Sequence, residues 1–349
     1  MQCLYLRSSS FNTYNQCEMK YFLDYQVGYR SPPHNSKAEQ GSVVHKTLEL
    51  LARKKLAIQN GQTEFIDPEL GRFVLDLGTS PEELLDIAYN HSVAKTSYLY
   101  DWTSAEYIKC RQSLNKALTY NDGYYNPMNQ QIIAPETYFD FTIDKPWAQY
   151  NYKMPDGEQI TGRLAIRGTM DLLVQIDKET ILYCDYKTGA RKNWDTGEEK
   201  DYKALKKDPQ LRIYFLAVKK LFPQYKYVVM EVFYINSGGV IAVHFDDSDI
   251  KLSEQMIQKT FDKIKNNFKP KLRRGFHCKW CWYYSHATAD SSKGKETPKV
   301  EFENSICKKT RQDLLTLGYD RLYNRMYNRE QSCSYGQGGG KSAETVKKL

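Results

Sequence analysis

Asp185, Tyr186 and Lys187 stand together near the middle of the chain, followed by Thr188 and Gly189. A second acid, Asp171, closes the run Gly168-Thr169-Met170-Asp171 upstream. Between the two acids, Leu172, Val174 and Ile176 alternate with polar or smaller positions. Asp177-Lys178-Glu179 then makes a turn, and Ile181-Leu182-Tyr183-Cys184 returns. The pattern predicts a hairpin whose far ends meet, so that Asp171, Asp185 and Lys187 converge. Positions 185 and 187 are two apart and leave the same face of a strand. Paired carboxylates are hard ligands suited to Mg²⁺. A lysine beside them can serve a nucleophilic water or the charge of a phosphoryl transition state. Taken singly, each residue has a plainer reading: Asp171 as a strand end, Asp185 and Lys187 as a surface ion pair.

The elements that must hold these residues can be read from the pattern around them. Residues 8 to 29 carry Ser and Asn punctuation and then an aromatic, helix-like run, Met19 to Tyr25, which Pro32-Pro33 ends. Gly41 opens a second helix, to about residue 57, with Val44, Leu48 and Leu51 on one face and His45 and Glu49 beside it. Residues 60 to 80 are broken by Gly and Pro, and 81 to 125 read as one or two helices. Residues 131 to 143 alternate as a strand containing Glu136. The hairpin spans about 160 to 187. A charged loop over 190 to 207 leads into an amphipathic helix from Pro209 to about Leu221. Strands follow at 226 to 235 and 239 to 245, then a helix over 249 to 268. This order predicts an α/β fold, a small mixed sheet flanked by helices with a helical insertion at about 60 to 130.

At 349 residues the chain can bury a sizeable core, and 41% hydrophobic residues fit a globular fold. A net charge of +8 favours a polyanionic partner, although many solvated surfaces are mildly basic. The 28 tyrosines can stack on bases, but most are expected as half-buried packing residues. No apolar run is long enough to cross a membrane, and the first residues lack a signal-peptide core. A cytoplasmic protein is expected, in the host cytoplasm if phage-encoded. Eight cysteines without an export signal point to thiols or metal ligands rather than a disulfide scaffold.

Several segments, in order, resemble the RecB-type branch of the PD-(D/E)xK nuclease superfamily, which includes the CRISPR adaptation-associated exonucleases and related phage enzymes. Ser8 to Phe11 and Tyr14 to Cys17 are similar to the family's N-terminal segment. Gly41-Ser42-Val43-Val44-His45 is similar to its first motif, with the metal-contacting His. Gly168 to Asp171 resembles the second, Asp185 to Gly189 the third, and Gln210-Leu211-Arg212-Ile213-Tyr214 the Gln-x-x-x-Tyr motif. The resemblance covers roughly residues 8 to 285. It implies a restriction-endonuclease-like sheet and Mg²⁺- or Mn²⁺-dependent cleavage of DNA, most simply by an exonuclease in recombination, repair or phage DNA processing. His45, Asp171 and Asp185 would bind the metal, and Lys187 would position or activate the water. Gln210 and Tyr214, four apart on one helix face, would support the site or contact DNA. Glu136 sits where the family often has an acid on the first strand. Imidazole suits Mn²⁺ better than Mg²⁺, so His45 leans the site towards manganese. The alternative is a nuclease-fold DNA-binding subunit of a recombination complex, which has no reason to keep Asp171, Asp185 and Lys187 together. No Gly-x-x-x-x-Gly-Lys-Ser/Thr loop is visible, so unwinding would fall to a helicase or recombination partner.

Some members of this family hold a 4Fe–4S cluster on one N-terminal and three C-terminal cysteines, the last three usually as Cys-x-x-Cys-x5-Cys. Cys17 and the pair Cys278 and Cys281 match the first three positions. The fourth departs: position 287 is Ala, with His286 before it, and the next cysteine is Cys307. Cys307 or His286 could complete the set, a His favouring zinc, or the thiols are packing residues beside Trp280 and Trp282. Residues 288 to 349 form a basic, polar C-terminal extension, flexible around Gly336 to Gly340.

Overall fold

The computed structural model describes residues 3–26, 36–75, 79–98, 100–153, 159–192 and 197–267, together with positions 270, 271, 273, 275, 277, 278 and 281. The expected extension at 288 to 349, Cys307 and His286 lie outside these residues.

The chain opens with a short strand β1 (Tyr5–Leu6) and two short helices, α1 (Ser8–Gln16) and α2 (Glu18–Tyr21). A π-helical turn over Phe22–Gln26 follows. The aromatic run expected as helical, Met19 to Tyr25, is therefore helical, an α turn passing into a π turn. Cys17 takes extended angles, φ −155° and ψ 114°, and caps both helices. Helix α3 (Ser36–Gln59) is long and buries Val43, Val44, Leu48 and Leu51. After it comes a hairpin, β2 (Glu64–Asp67) and β3 (Gly71–Val74), in the stretch read only as broken. Helices α4 (Pro81–Thr96) and α5 (Ser104–Gly123) follow. Ser80 starts α4 through a reciprocal capping box with Glu83, with Pro81 at the first helical position.

Strand β4 (Ile132–Thr142) leads to a small hairpin, β5 (Gln149–Lys153) and β6 (Gln159–Arg163), that sequence patterning did not separate from its neighbour. Then come β7 (Ala165–Gln175), β8 (Thr180–Lys187), a short α6 (Tyr202–Lys206) and α7 (Pro209–Leu221). The last elements are β9 (Tyr227–Tyr234), β10 (Gly239–Phe245) and α8 (Asp247–Lys265).

Six strands make one mixed sheet. β7 runs antiparallel to β4 along one edge. Its other edge is shared: β1 pairs in parallel with Ala165 and Ile166, and β8 pairs antiparallel from Leu172 to Gln175. β8 is parallel to β9, and β9 antiparallel to β10. One face packs Leu6, Phe139, Met170, Tyr183 and Met230 with residues of α7 and α8. The other packs Leu172, Val174, Leu182 and Phe233 with α3, α4 and α5. The architecture is thus a mixed sheet between two helical layers, the restriction-endonuclease-like fold.

The sheet forks beside the acids. Among the described residues, no strand pairs the β1/β8 edge of β7 between Arg167 and Asp171. Side-chain alternation also slips there. Met170 and Leu173 face one core, while Leu172 and Val174 face the other. On β4, Glu136 lies between Pro135, opposite Leu172, and Thr137, opposite Met170, with φ +44°. A non-glycine residue with positive φ inside a strand is strained, and such strain collects at functional positions.

Candidate metal centre

Three elements converge at the fork. α3 brings His45, β4 brings Glu136 and β7 brings Asp171. One nitrogen of His45 and one carboxylate oxygen each of Glu136 and Asp171 lie within 4.8 Å of one another. His45 Nδ1 is 3.4 Å from Asp171 Oδ2. That same oxygen accepts a hydrogen bond from the Tyr186 backbone N–H at 2.9 Å, which ties Asp171 to β8. Gly41 lets α3 approach this closely: a Cβ there would stand 2.7 Å from Thr188 Oγ1. An open cleft of about 430 Å³ adjoins the group, lined by Gly41, Ser42, His45, Lys46, Glu49 and Glu136 among others.

The carboxylates are crowded. Burial first, then the charges of Asp171 and Glu49, push the Glu136 carboxyl up to about 8. Burial also raises Asp171; His45 opposes this and Asp185 adds to it. Two crowded acids beside an imidazole fit a hard divalent cation, which would relieve the repulsion between the carboxylates. Among the described residues, this is the one group of three His, Cys, Asp or Glu donors so close together.

Asp185 and Lys187 sit on the other side of Asp171, facing α7. Asp185 is 2% exposed. Its Oδ1 accepts from Tyr183 Oη, Lys187 Nζ and Gln210 Nε2, each at 3.0 Å, and Lys187 Nζ is 2.8 Å from Oδ2. Gln210 is placed by the start of α7, where the Asp208 side chain accepts from its N–H at 2.8 Å and Pro209 takes the first helical position. Burial pulls the Lys187 ammonium towards neutrality. The carboxylates of Asp185 and Asp171 outweigh it and hold its pKa above the usual lysine range. Tyr214 is 6% exposed and packs edge-on against Phe139 and Tyr183. Burial, then the charge of Asp185, pushes its phenol up to about 12.

The structure therefore divides the expected ligand set. His45, Asp171 and Glu136 come together, whereas Asp185 lies outside that trio with its oxygens taken by Lys187, Gln210 and Tyr183. Sequence reasoning missed Tyr183, although its place two residues before Asp185 puts it on the same strand face. It also missed the charges behind His45. Lys46 Nζ lies 2.6 Å from Glu49 and 3.3 Å from the buried Asp67, and Arg53 holds Glu49 at 2.7 Å. The i, i+3 and i+4 spacing of Lys46, Glu49 and Arg53 was the available signal.

The first and last described segments are stitched together. The Met19 N–H donates to the Lys271 carbonyl at 3.2 Å. Glu18 accepts from Asn267 Nδ2 and the Lys271 N–H, and ion-pairs with Arg273. Cys17 and Cys278 are buried and Cys281 half-buried. Their three sulfurs are not within 4.8 Å of one another. The proposed fourth ligands, Cys307 and His286, lie outside the described residues.

No curated protein matches the chain. A crystal structure of a "putative exonuclease" from Eubacterium rectale is similar at 11% identity and a TM-score of 0.45, over 85% of this chain and 92% of that one. The crystal structure of SSO0001 is similar at 15% identity and a TM-score of 0.23, over 71% of this chain and 97% of that one. A family model of the PD-(D/E)XK nuclease superfamily matches residues 8–285, a span that holds His45, Glu136, Asp171, Asp185, Lys187, Gln210 and Tyr214, and the chain belongs to that superfamily.

Proposed function

We propose that this protein is a metal-dependent deoxyribonuclease, an exonuclease that hydrolyses phosphodiester bonds in DNA recombination, repair or phage DNA processing. The observation that carries the reading is the trio His45, Glu136 and Asp171 beside the pair Asp185 and Lys187, joined through Asp171. PD-(D/E)XK nucleases use divalent metals, and the donor set suits Mg²⁺ or Mn²⁺, with His45 favouring the latter. Bound there, such a cation would neutralise phosphate charge and lower the pKa of water.

The chain's own residues do the rest. Asp185 would complete the set holding the cation if Lys187 turned its ammonium from the carboxylate to water or to a phosphate oxygen. Gln210 and Tyr183 keep Asp185 in place during that exchange, because each donates to its Oδ1. Lys187, held charged by two carboxylates, stabilises negative charge at the phosphate rather than acting as a neutral base. Among the described residues, no helix is long and apolar enough to cross a membrane. A helicase or recombination protein is the partner class this activity would call for.

The test is cleavage of end-labelled single- and double-stranded DNA, with a circular control, in Mg²⁺ or Mn²⁺. Shortening of linear but not circular DNA is the expected result. Cutting of the circle would make the protein an endonuclease, and no cutting under any of these conditions would overturn the reading.

A further inference from the structure

The face of the sheet that carries Glu136 and Asp171 continues past them. On β4 the next positions on that face are Tyr138 and Asp140, and on β7 they are Thr169 and Arg167. The register pairs them: Tyr138 with Thr169 and Asp140 with Arg167. β1 adds Tyr5 and leads to Arg7, beside Ala165 and Arg167 on the same face. The opposite face at these strands is the core, where Leu6, Phe139, Ile166 and Met170 are buried. Two tyrosines, two arginines and a threonine, with Asp140 paired to Arg167, therefore extend from the metal centre along the fork.

Their chemistry is that of a nucleic-acid strand site. The Tyr138 ring is 52% exposed. Two guanidinium groups pack on the Tyr5 ring, Arg167 at 4.6 Å and Arg7 at 5.6 Å from its centroid. Arg167 is only 8% exposed, and its Nε lies 2.8 Å from Asp140 Oδ2 in an ion pair whose angle is poor for a hydrogen bond. Its planar fork matches a phosphate oxygen as it matches a carboxylate. Arg7, by contrast, is exposed and can close over an anion. At about 3.3 Å per residue, Arg167 stands about 13 Å along β7 from Asp171. Between about two and four nucleotides of one strand cover that distance, depending on how far they are stacked or extended.

We propose that this strip is the track for the DNA strand being cut: Arg7 and Arg167 hold a backbone phosphate a few nucleotides from the scissile one, and Tyr138 stacks on a base between them. The inference rests on the deoxyribonuclease reading for the identity of the strand, but its binding chemistry can be tested apart from cleavage. Base stacking on an exposed ring is tolerant of sequence, so the track would select single-stranded character rather than a base order.

The experiment measures equilibrium binding of a fluorescein-labelled single-stranded oligonucleotide by anisotropy, in EDTA, over a series of salt concentrations. Arg7→Glu is expected to raise Kd about tenfold and to lower the slope of log K against log salt by about 1. Tyr138→Ala is expected to raise Kd about fivefold with the slope unchanged. Lys178→Glu, at the β7–β8 turn, makes the same charge change at the far end of the hairpin and should leave Kd within twofold. Both substituted positions are exposed or half-exposed, and Arg167→Lys offers a further variant that keeps the charge but loses the fork. If the wild type binds and cuts DNA while Arg7→Glu and Tyr138→Ala match it, the track is wrong and the nuclease stands. If Lys178→Glu weakens binding as much as Arg7→Glu, the effect is net charge and the track is again wrong. A wild type that binds with the predicted variant pattern but never cuts would keep the track and overturn the nuclease reading.

Discussion

The two sides of Asp171 solve the same electrostatic problem differently. On the α7 side, Asp185 is almost fully buried and already neutralised: a lysine ammonium, an amide and a phenol satisfy it. On the α3 side, His45, Glu136 and Asp171 crowd one another on a strained strand, half-exposed to a cleft, with acids pushed towards their protonated forms. The first side is complete in the folded protein. The second gains by taking up a cation. A site divided in this way can be assembled by folding and still leave its last ligand to be supplied with the metal.

Substitutions at the complete side should produce the largest loss. Asp185→Asn keeps the shape and most contacts of the buried group but removes its charge. Cleavage should fall by at least about 10²–10³-fold, with the circular dichroism of the folded protein retained. Lys187→Ala should do the same. A variant of either kind that cut at near wild-type rate in Mg²⁺ would move the chemistry wholly to the α3 side. His45→Ala should cost less, at least about tenfold in activity. Excess Mn²⁺ should restore part of it, because Mn²⁺ binds such sites more tightly than Mg²⁺. Unchanged metal dependence would return His45 to the role of an ordinary helix histidine.

How far the sequence disclosed this division depends on the range of each signal. Asp185 and Lys187 were legible because strand alternation has period 2 and its turn, at Asp177 to Glu179, fixed the register. Gln210 was legible because the Asp208-Pro209 cap fixed where α7 begins. The fork was not. It arises where β1 joins the edge of β7 that β8 also uses: the β8 partners lie 6 to 12 positions away, but those of β1 lie 160 away, and no local pattern encodes that pairing. The positive φ of Glu136 was equally hidden, since neither Gly nor Asn marks the position. The β2–β3 hairpin, which brings buried Asp67 to Lys46, was read as broken chain because four-residue strands are too short for alternation to show. Cys17 separates α1 from α2 without a proline or glycine to announce it. The cysteine spacing suggested proximity of the chain ends, and the first and last described segments do meet. Glu18, Asn267, Lys271 and Arg273 make the junction.

The acid–base contrast gives a smaller, thermodynamic effect. In the folded chain Glu136 titrates near 8, against an ordinary value of 4.5. Between those pH values the folded state therefore holds a proton that the unfolded state has lost, and stability falls as pH rises through the window. In EDTA, the melting temperature should decline from pH 5 to pH 8.5, and Glu136→Gln should flatten that decline. Mg²⁺ or Mn²⁺ should raise the melting temperature more at pH 8.5 than at pH 5, because proton and metal compete for the same oxygens. A wild-type profile in EDTA no steeper than that of Glu136→Gln would show that the crowding on the α3 side is relieved without a cation.

Tyr214 sharpens the comparison from the α7 side with the smallest effect. Its place after Gln210 suggested contact with DNA or support of the site. In the structure its ring is nearly enclosed, edge-on to Phe139 and Tyr183, and Gly168 is a glycine partly because a Cβ there would stand 2.5 Å from Phe139 and 3.0 Å from Tyr214. With its phenol pushed up to about 12, Tyr214 stays neutral and cannot exchange a proton near neutral pH. Its hydroxyl bonds Ser8 at the start of α1, so it links that helix to α7 rather than reaching a ligand. Tyr214→Phe keeps the ring and removes one hydrogen bond, a loss of about 0.5–1.5 kcal/mol. The melting temperature should fall by about 1–4 °C, and cleavage should stay within about threefold of wild type. A proton-transfer role would instead cost about 10²–10⁴-fold with the fold unmoved. That outcome would mean that the α7 side is not complete in the folded protein, and that Tyr214, like Lys187, turns towards the substrate during the reaction.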